Sequence, residues 1–293
     1  MSYKIKKFIV KRKVKAFKFL MENFDLSMRD AQRWIDKKRL YHDGQILSKK
    51  SKEISGDIEV IVFESTTRGL LPIFETKDFA IYDKPSGVLI HPANRFTEYS
   101  LTHELKHRYG NAANITHRID KETSGIVIVA KHKEAEKGIK KCFESREVKK
   151  SYLAYVKGKI NKKLFIDAPI LKNRAFDEIK LKVTIHEEGK PSQTIIEPLS
   201  YHDSADMTLI KATPLTGRQH QIRVHMFHVK HPIIGDPIYG VDVEVADDYL
   251  NGRLSEEERI QLTGASRLML HANTIGFKYK NNYEIVSKMP FTF

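Results

Sequence analysis

Hydrophobic positions along this chain change period several times, and each change marks an element. Phe17, Leu20 and Phe24 recur at i, i+3 and i+7, one face of a short helix. Ser27 and Asp30 have the spacing of a helix-start capping box, and Met28, Ala31 and Ile35 supply the apolar stripe of the helix that follows. Period two then takes over. Asp43-Gly44 sits between Leu40-Tyr41-His42 and Gln45-Ile46-Leu47, a two-residue hairpin signal. After the turn Ser55-Gly56-Asp57, the residues Ile58, Val60 and Val62 alternate as in a strand. Two helices followed by a small sheet make up this first module.

Further on the pattern is richer in strands. Phe79-Ala80-Ile81-Tyr82 predicts a strand that ends in a turn at Asp83-Lys84-Pro85-Ser86-Gly87. The run Gly125-Ile126-Val127-Ile128-Val129-Ala130 is apolar on both faces, as a buried strand requires. Ser151 to Val156 alternates, with Tyr152, Ala154 and Val156 on one face. Met207 to Ala212 predicts another strand, and Ile222, Met226 and Val229 have helical spacing. Ser, Thr, Arg, Gly and Pro concentrate in 64–72, where a linker is expected. The organisation predicted is residues 1–64 as a basic arm and small domain, 65–72 as linker, and 73–293 as a second domain. The fold class is α+β: a large mixed, mainly antiparallel sheet flanked by helices, plus a small N-terminal α/β domain.

Charge sharpens this picture. The 293 residues carry 51 Lys and Arg against 37 Asp and Glu, a net charge of +14. That excess favours a phosphate-rich partner, although solubility alone also uses basic surfaces. Its distribution says more. Residues 1–18 hold Lys4, Lys6, Lys7, Lys11, Arg12, Lys13, Lys15 and Lys18 and no acid. Arg29, Arg33, Lys37, Lys38 and Arg39 then follow along the second helix, a candidate RNA-binding face. Charge runs of this kind are usually plain solvated surface. Residues 241–262 are acidic and are expected to face away from a bound polyanion. Cys142 is the single cysteine, which excludes an intrachain disulfide and any CxxC zinc site and suits a reducing cytosol. A cytoplasmic, monomeric protein with no membrane contact is expected. His225, His228 and His231 drift around a helix rather than converging, and no metal is expected. Neither GxGxxG nor GxxxxGK[ST] is present, so no dinucleotide or P-loop site is expected.

The densest chemistry is His117-Arg118-Ile119-Asp120-Lys121-Glu122-Thr123-Ser124-Gly125, running directly into a buried strand. A polar loop that hydrogen-bonds its own backbone explains an isolated Arg-Ile-Asp, but not the whole stretch. It resembles the RluA-type family of pseudouridine synthases, whose pattern is HRLDxxTSG followed by an apolar strand and Ala-Lys, with Ile119 here in place of Leu. Four more motifs of that family follow the same order along 73–293. They are Asp83-Lys84-Pro85-Ser86-Gly87 with His91-Pro92, Lys150-Ser151-Tyr152-Leu153-Ala154, Gly217 to His225, and Arg267-Leu268-Met269-Leu270-His271-Ala272. In the third, Gln219 stands where Thr is commoner. Residues 14–62 likewise resemble the small RNA-binding domain of ribosomal protein S-four, through the Ser27-to-Leu40 helix, its basic residues and the Tyr41-His42-Asp43-Gly44 turn.

The resemblance implies an isomerase that converts uridine to pseudouridine in RNA, without a cofactor because nothing is oxidised and no group is lost. It implies Asp120 as catalytic carboxylate, Arg223 as its partner cation and Tyr152 as the ring that stacks on uracil and takes a late proton. Ile222 would pack on the base, and Arg118 would fill the space a flipped base leaves. His117 and His271 join the substrate-binding set in supporting positions. Large-subunit ribosomal RNA is the favoured substrate, with transfer RNA as an alternative. A non-catalytic RNA-binding or ribosome-assembly protein on the same fold is the competing class, and Asp120, Tyr152 and Arg223 together argue against it. A glycoside or nucleoside hydrolase would need a second carboxylate, and no paired-carboxylate motif stands out.

Overall fold

The computed structural model describes residues 3–94, 96–172, 179 and 182–293. Two compact units emerge: Met1–Thr67 with Pro92–His103, and Arg68–His91 with Glu104–Phe293.

In the first unit, β1 (Tyr3–Lys15) leads into α1 (Ala16–Phe24) and α2 (Met28–Asp36), followed by β2 (Leu40–His42), β3 (Gln45–Ile46) and β4 (Glu53–Phe63). The Ser27 hydroxyl accepts from the Asp30 amide and caps α2 as its spacing implies. The hairpin turn carries positive φ at both Asp43 and Gly44, the conformation that a tight two-residue connection requires. Three expectations change. The basic arm is a 13-residue edge strand paired with β4. Its lysines point from both faces, which hides the alternation from a reading of hydrophobicity. The helix expected to reach Leu40 stops at Asp36, and Lys38, at φ 57, turns the chain into β2. Met28 is 52% exposed instead of joining Ala31 and Ile35 in the core. Phe19, Leu20, Ala31, Ile35, Leu40, Ile54, Ile58 and Val60 form that core.

The second unit contains β5 (Phe74–Glu75), β6 (Phe79–Lys84), β7 (Asn114–Ile115), β8 (Ser124–Ala130), α4 (Lys133–Glu144), β9 (Lys149–Lys157), β10 (Leu164–Asp167), β11 (Ile170–Lys172) and β12 (Val183–Ile185). It continues with β13 (Gln193–His202), β14 (Met207–Pro214), α5 (Gln221–His228), α6 (Val243–Leu250), α7 (Glu256–Thr263), β15 (Leu270–Tyr279) and β16 (Asn281–Val286). Helix α3 (Leu101–Tyr109) precedes β7. Among the described residues a ten-stranded sheet runs β10-β13-β14-β9-β15-β8-β6-β5, with β16 on β15 and β7 on β8. The β8–β15 pair is parallel and the other pairs of this sheet are antiparallel, so the sheet is mixed as expected. Every residue of β8 is buried, in keeping with its unbroken apolar run. Gly125 lies where β8 meets β15 at φ 102, and a Cβ there would collide with the Ala272 backbone. No described helix is long and apolar enough to cross a membrane.

Candidate active site

The loop from Arg118 to Thr123 is held at Lys121 and Glu122. Lys84, at the end of β6, is fully buried and donates from Nζ to the carbonyls of Pro85 (2.8 Å) and Lys121 (2.9 Å). Gly87 N–H reaches the same Lys121 oxygen, and Ser86 Oγ donates to the Glu122 carbonyl at 2.6 Å. Burial pulls the Lys84 amine down to about 7, against the opposing pull of Glu122 and Asp120. The Glu122 carboxylate is tied to Arg259 of α7 (2.7 Å) and to the Tyr249 hydroxyl of α6 (2.8 Å). The acidic segment thus braces this loop and contributes nothing to the pocket wall. Ser124 Oγ meets His271 Nδ1 at 2.9 Å, and His271 Nε2 meets Ser287 Oγ at 2.8 Å.

What the brace presents is Asp120. Its Oδ2 lies 3.2 Å from Arg223 Nη1. Arg223 sits near the start of α5 and is buried. It spends Nε and Nη2 on the two oxygens of Asp236, at 2.7 and 2.8 Å. Asp236 Oδ1 also accepts the Ile238 and Tyr239 amides at 2.9 and 3.0 Å. One guanidinium therefore joins a fully satisfied buried carboxylate to a partly exposed one. Burial works against its charge, but Asp236 and then Asp120 outweigh burial and raise its pKa further. The Tyr239 ring lies beneath it, 5.2 Å from the guanidinium carbon.

Around Asp120 opens a cavity of about 110 Å³, lined among others by Arg118, Ile119, Tyr152, Ile222 and Arg223. These five, with Asp120, bring together the expected catalytic set and two of the four expected substrate-binding residues. Arg118 is exposed at the mouth. Burial first, and the Asp120 charge second, push the Tyr152 phenol above its ordinary pKa, so it is neutral in the resting pocket. Two lining residues went unremarked as chemistry in the sequence. His220 Nε2 lies 3.7 Å from Asp120 Oδ2, and its Nδ1 meets the Tyr239 hydroxyl at 3.1 Å. Lys150 has no ion-pair or side-chain hydrogen-bond partner among the described residues, and burial lowers its pKa.

His117 and His271, expected in supporting positions, lie behind the site. Neither lines the cavity. His117 Nε2 accepts the Ile128 amide at 3.0 Å and its ring stacks on Phe143. His271 is fully buried and stacks on Phe291. Both rings anchor strands, His117 through Nε2 and His271 through both of its nitrogens. His225 is likewise buried, against Thr194 and the Ala168 carbonyl.

These neutral rings set an acid limit. Burial lowers His117 to about 3 and His220 and His271 to about 4, from an ordinary 6.5. Below 6.5 the unfolded chain therefore binds more protons than the folded one, and stability falls with pH. Each ring contributes up to about 1.4 kcal/mol per pH unit. Thermal melts between pH 7 and 4.5 are expected to show a steady fall in Tm, before most carboxylates titrate. An unchanged Tm across that window would contradict neutral burial.

A family model described as RNA pseudouridylate synthase matches residues 78–228. The chain belongs to this family. RNA pseudouridylate synthases are isomerases acting on RNA, and that activity class is this chain's. An uncharacterized RNA pseudouridine synthase of Helicobacter pylori is 37% identical over 100% of this chain and 98% of its own length. Ribosomal large subunit pseudouridine synthase C of Vibrio parahaemolyticus is 36% identical across 72% of this chain and 62% of its own length. Synthase D of Nitrosomonas europaea is 32% identical across 71% and 63%. Among solved structures, human RNA pseudouridylate synthase domain containing 1 superposes with a TM-score of 0.62 at 27% identity, covering 79% of this chain and 88% of that one.

Proposed function

We propose that this enzyme isomerises uridines of large-subunit ribosomal RNA, with Asp120 as the reacting carboxylate. The observation that carries the reading is the Asp120–Arg223 pair at 3.2 Å, at the edge of a cavity that Tyr152 and Ile222 also line. The relatives named for the large ribosomal subunit support the choice of RNA.

In this reading the target base leaves its stack and enters the cavity, with Arg118 at the mouth taking the vacated position. The N1–C1′ bond of uridine breaks, uracil turns, and C5 bonds to C1′. The proton on C5 must then leave. Asp120 takes up the sugar carbon, or stabilises its charge, while the base is detached. The Tyr152 phenol is a poor base at rest. Part of that comes from the Asp120 charge, which disappears once the carboxylate bonds to the sugar. Tyr152 can take the C5 proton only as a phenolate, and loss of the Asp120 charge eases that ionisation once the carboxylate bonds to the sugar, the phenol's own proton passing to the uracil N1 freed by the broken bond. The first unit, a candidate RNA-binding domain, and the basic β1 suit a large structured substrate.

The test is pseudouridine mapping of total RNA from cells lacking the protein, complemented with wild type or Asp120→Ala. Loss of a large-subunit site, restored by wild type alone, supports substrate and residue together. Loss confined to transfer RNA would replace the substrate, and equal rescue by Asp120→Ala would remove the nucleophile.

A further inference from the structure

The small sheet of the first unit buries one face and shows the other. Phe8, Leu40, Ile58 and Val60 pack toward the helical core. The opposite face carries apolar residues beside the Lys7–Glu59 ion pair. Ile5 stands across from Ile61, and Tyr41 across from Ile46. Ile5 is 58% and Ile46 49% exposed. A groove of about 490 Å³ opens on this face, with Ile46 and Ile61 as apolar floor, Tyr3 and Tyr41 as rings, and Pro92 to Asn94 of the same compact unit lining it as well. That volume is in the range of small-ligand sites.

Three consecutive cations line it too: Lys37, Lys38 and Arg39. The left-handed residue Lys38 makes the bend that brings them there. Arg39 is held in advance, its guanidinium over the rings of Tyr3 (5.1 Å) and Trp34 (5.4 Å), with Nη2 donating to the Tyr3 hydroxyl at 3.3 Å. Elsewhere in this unit Lys4, Lys7 and Lys50 are paired with Glu64, Glu59 and Asp36. Lys37 and Lys38 have no acidic partner among the described residues, so their charge is available to an outside anion.

Apolar floor, aromatic rings and a row of unneutralised cations match one chemistry: a flat base attached to a phosphate. Both faces of a base are open to such contacts only where it is unpaired and unstacked. We propose that this groove holds an unpaired nucleotide of the RNA substrate, its base against Tyr41, Ile46 and Ile61 and its phosphate at Lys37, Lys38 and Arg39. This deepens the ribosomal-RNA reading and rests on it, since it supplies a second anchoring point outside the pocket where the isomerisation occurs.

The test uses the full-length protein and a fluorescently labelled twelve-residue oligouridine, followed by anisotropy against salt. Ile46→Glu places a negative charge on an exposed position and should not disturb the core, which circular dichroism checks. It is expected to weaken binding at least about tenfold, and Tyr41→Leu roughly five- to hundredfold. Lys37→Gln with Lys38→Gln should make the slope of log affinity against log salt shallower by about 1.4, two phosphate contacts on a single strand. Wild-type affinity and slope in all these folded variants would overturn the groove. So would a change in sedimentation for Ile46→Glu with oligouridine binding intact, which would make the face a contact between copies of the chain. Oligouridine binding requires no turnover, so loss of the groove is distinguishable from a failure of wild type to form pseudouridine.

Discussion

Replacing Asp120 with asparagine is expected to cut pseudouridine formation by at least about 10³-fold, the scale for losing a group that bonds to the reacting atoms. The protein should stay folded. Asparagine has nearly the same shape, and Arg223 keeps both of its hydrogen bonds to Asp236, so no buried cation is orphaned. Tritium release from RNA labelled at uracil C5 reads the reaction directly, because that hydrogen is lost when C5 bonds to C1′. Activity within tenfold of wild type would rule out a covalent role for Asp120.

The largest effect on stability is expected at Asp236. Asp236→Asn leaves the shape but turns an amide donor toward a buried guanidinium. Breaking a buried ion pair from one side costs about 3–5 kcal/mol, and Tm should drop by roughly 10 °C. Freed from its bidentate partner, Arg223 would swing toward Asp120, and a misplacement of that kind costs roughly 10²-fold in turnover. Arg223→Lys separates the two effects. It keeps a charge near both acids but lacks the planar fork that serves them together, so turnover should fall more than stability. Thermal melts and single-turnover rates on the two variants decide the matter. An Asp236→Asn protein with wild-type Tm would refute the buried pairing.

Much of this was legible from residue order, for identifiable reasons. The run 125–130 announced a strand because apolar residues on both faces fit nothing but burial, and Asp43-Gly44 announced its turn because few other pairs accept two positive φ values. Asp120, Tyr152, Arg223, Ile222 and Arg118 converge on one cavity. Asp236 was not legible: it lies in a Gly-Asp-Pro triplet that reads as a turn, and its partner is 13 residues away at no helical or strand spacing. Lys84 looked like a turn residue because burial of an amine beneath two carbonyls is a tertiary fact. His117 and His271 are a different case. They stand inside chemical motifs, yet a motif does not say which way a ring points, and both point into the fold.

The long β1 strand has a consequence apart from nucleic acid. It lies at the end of its sheet, so among the described residues one side of it has no strand partner. Such an edge, with Ile5 and Ile9 exposed along it, is a template on which a second chain could add a strand and begin an aggregate. Lysine and arginine at most of the remaining positions make that addition electrostatically unfavourable. These charges thus keep the molecules apart, and neutralising them should cost solubility before it costs folding.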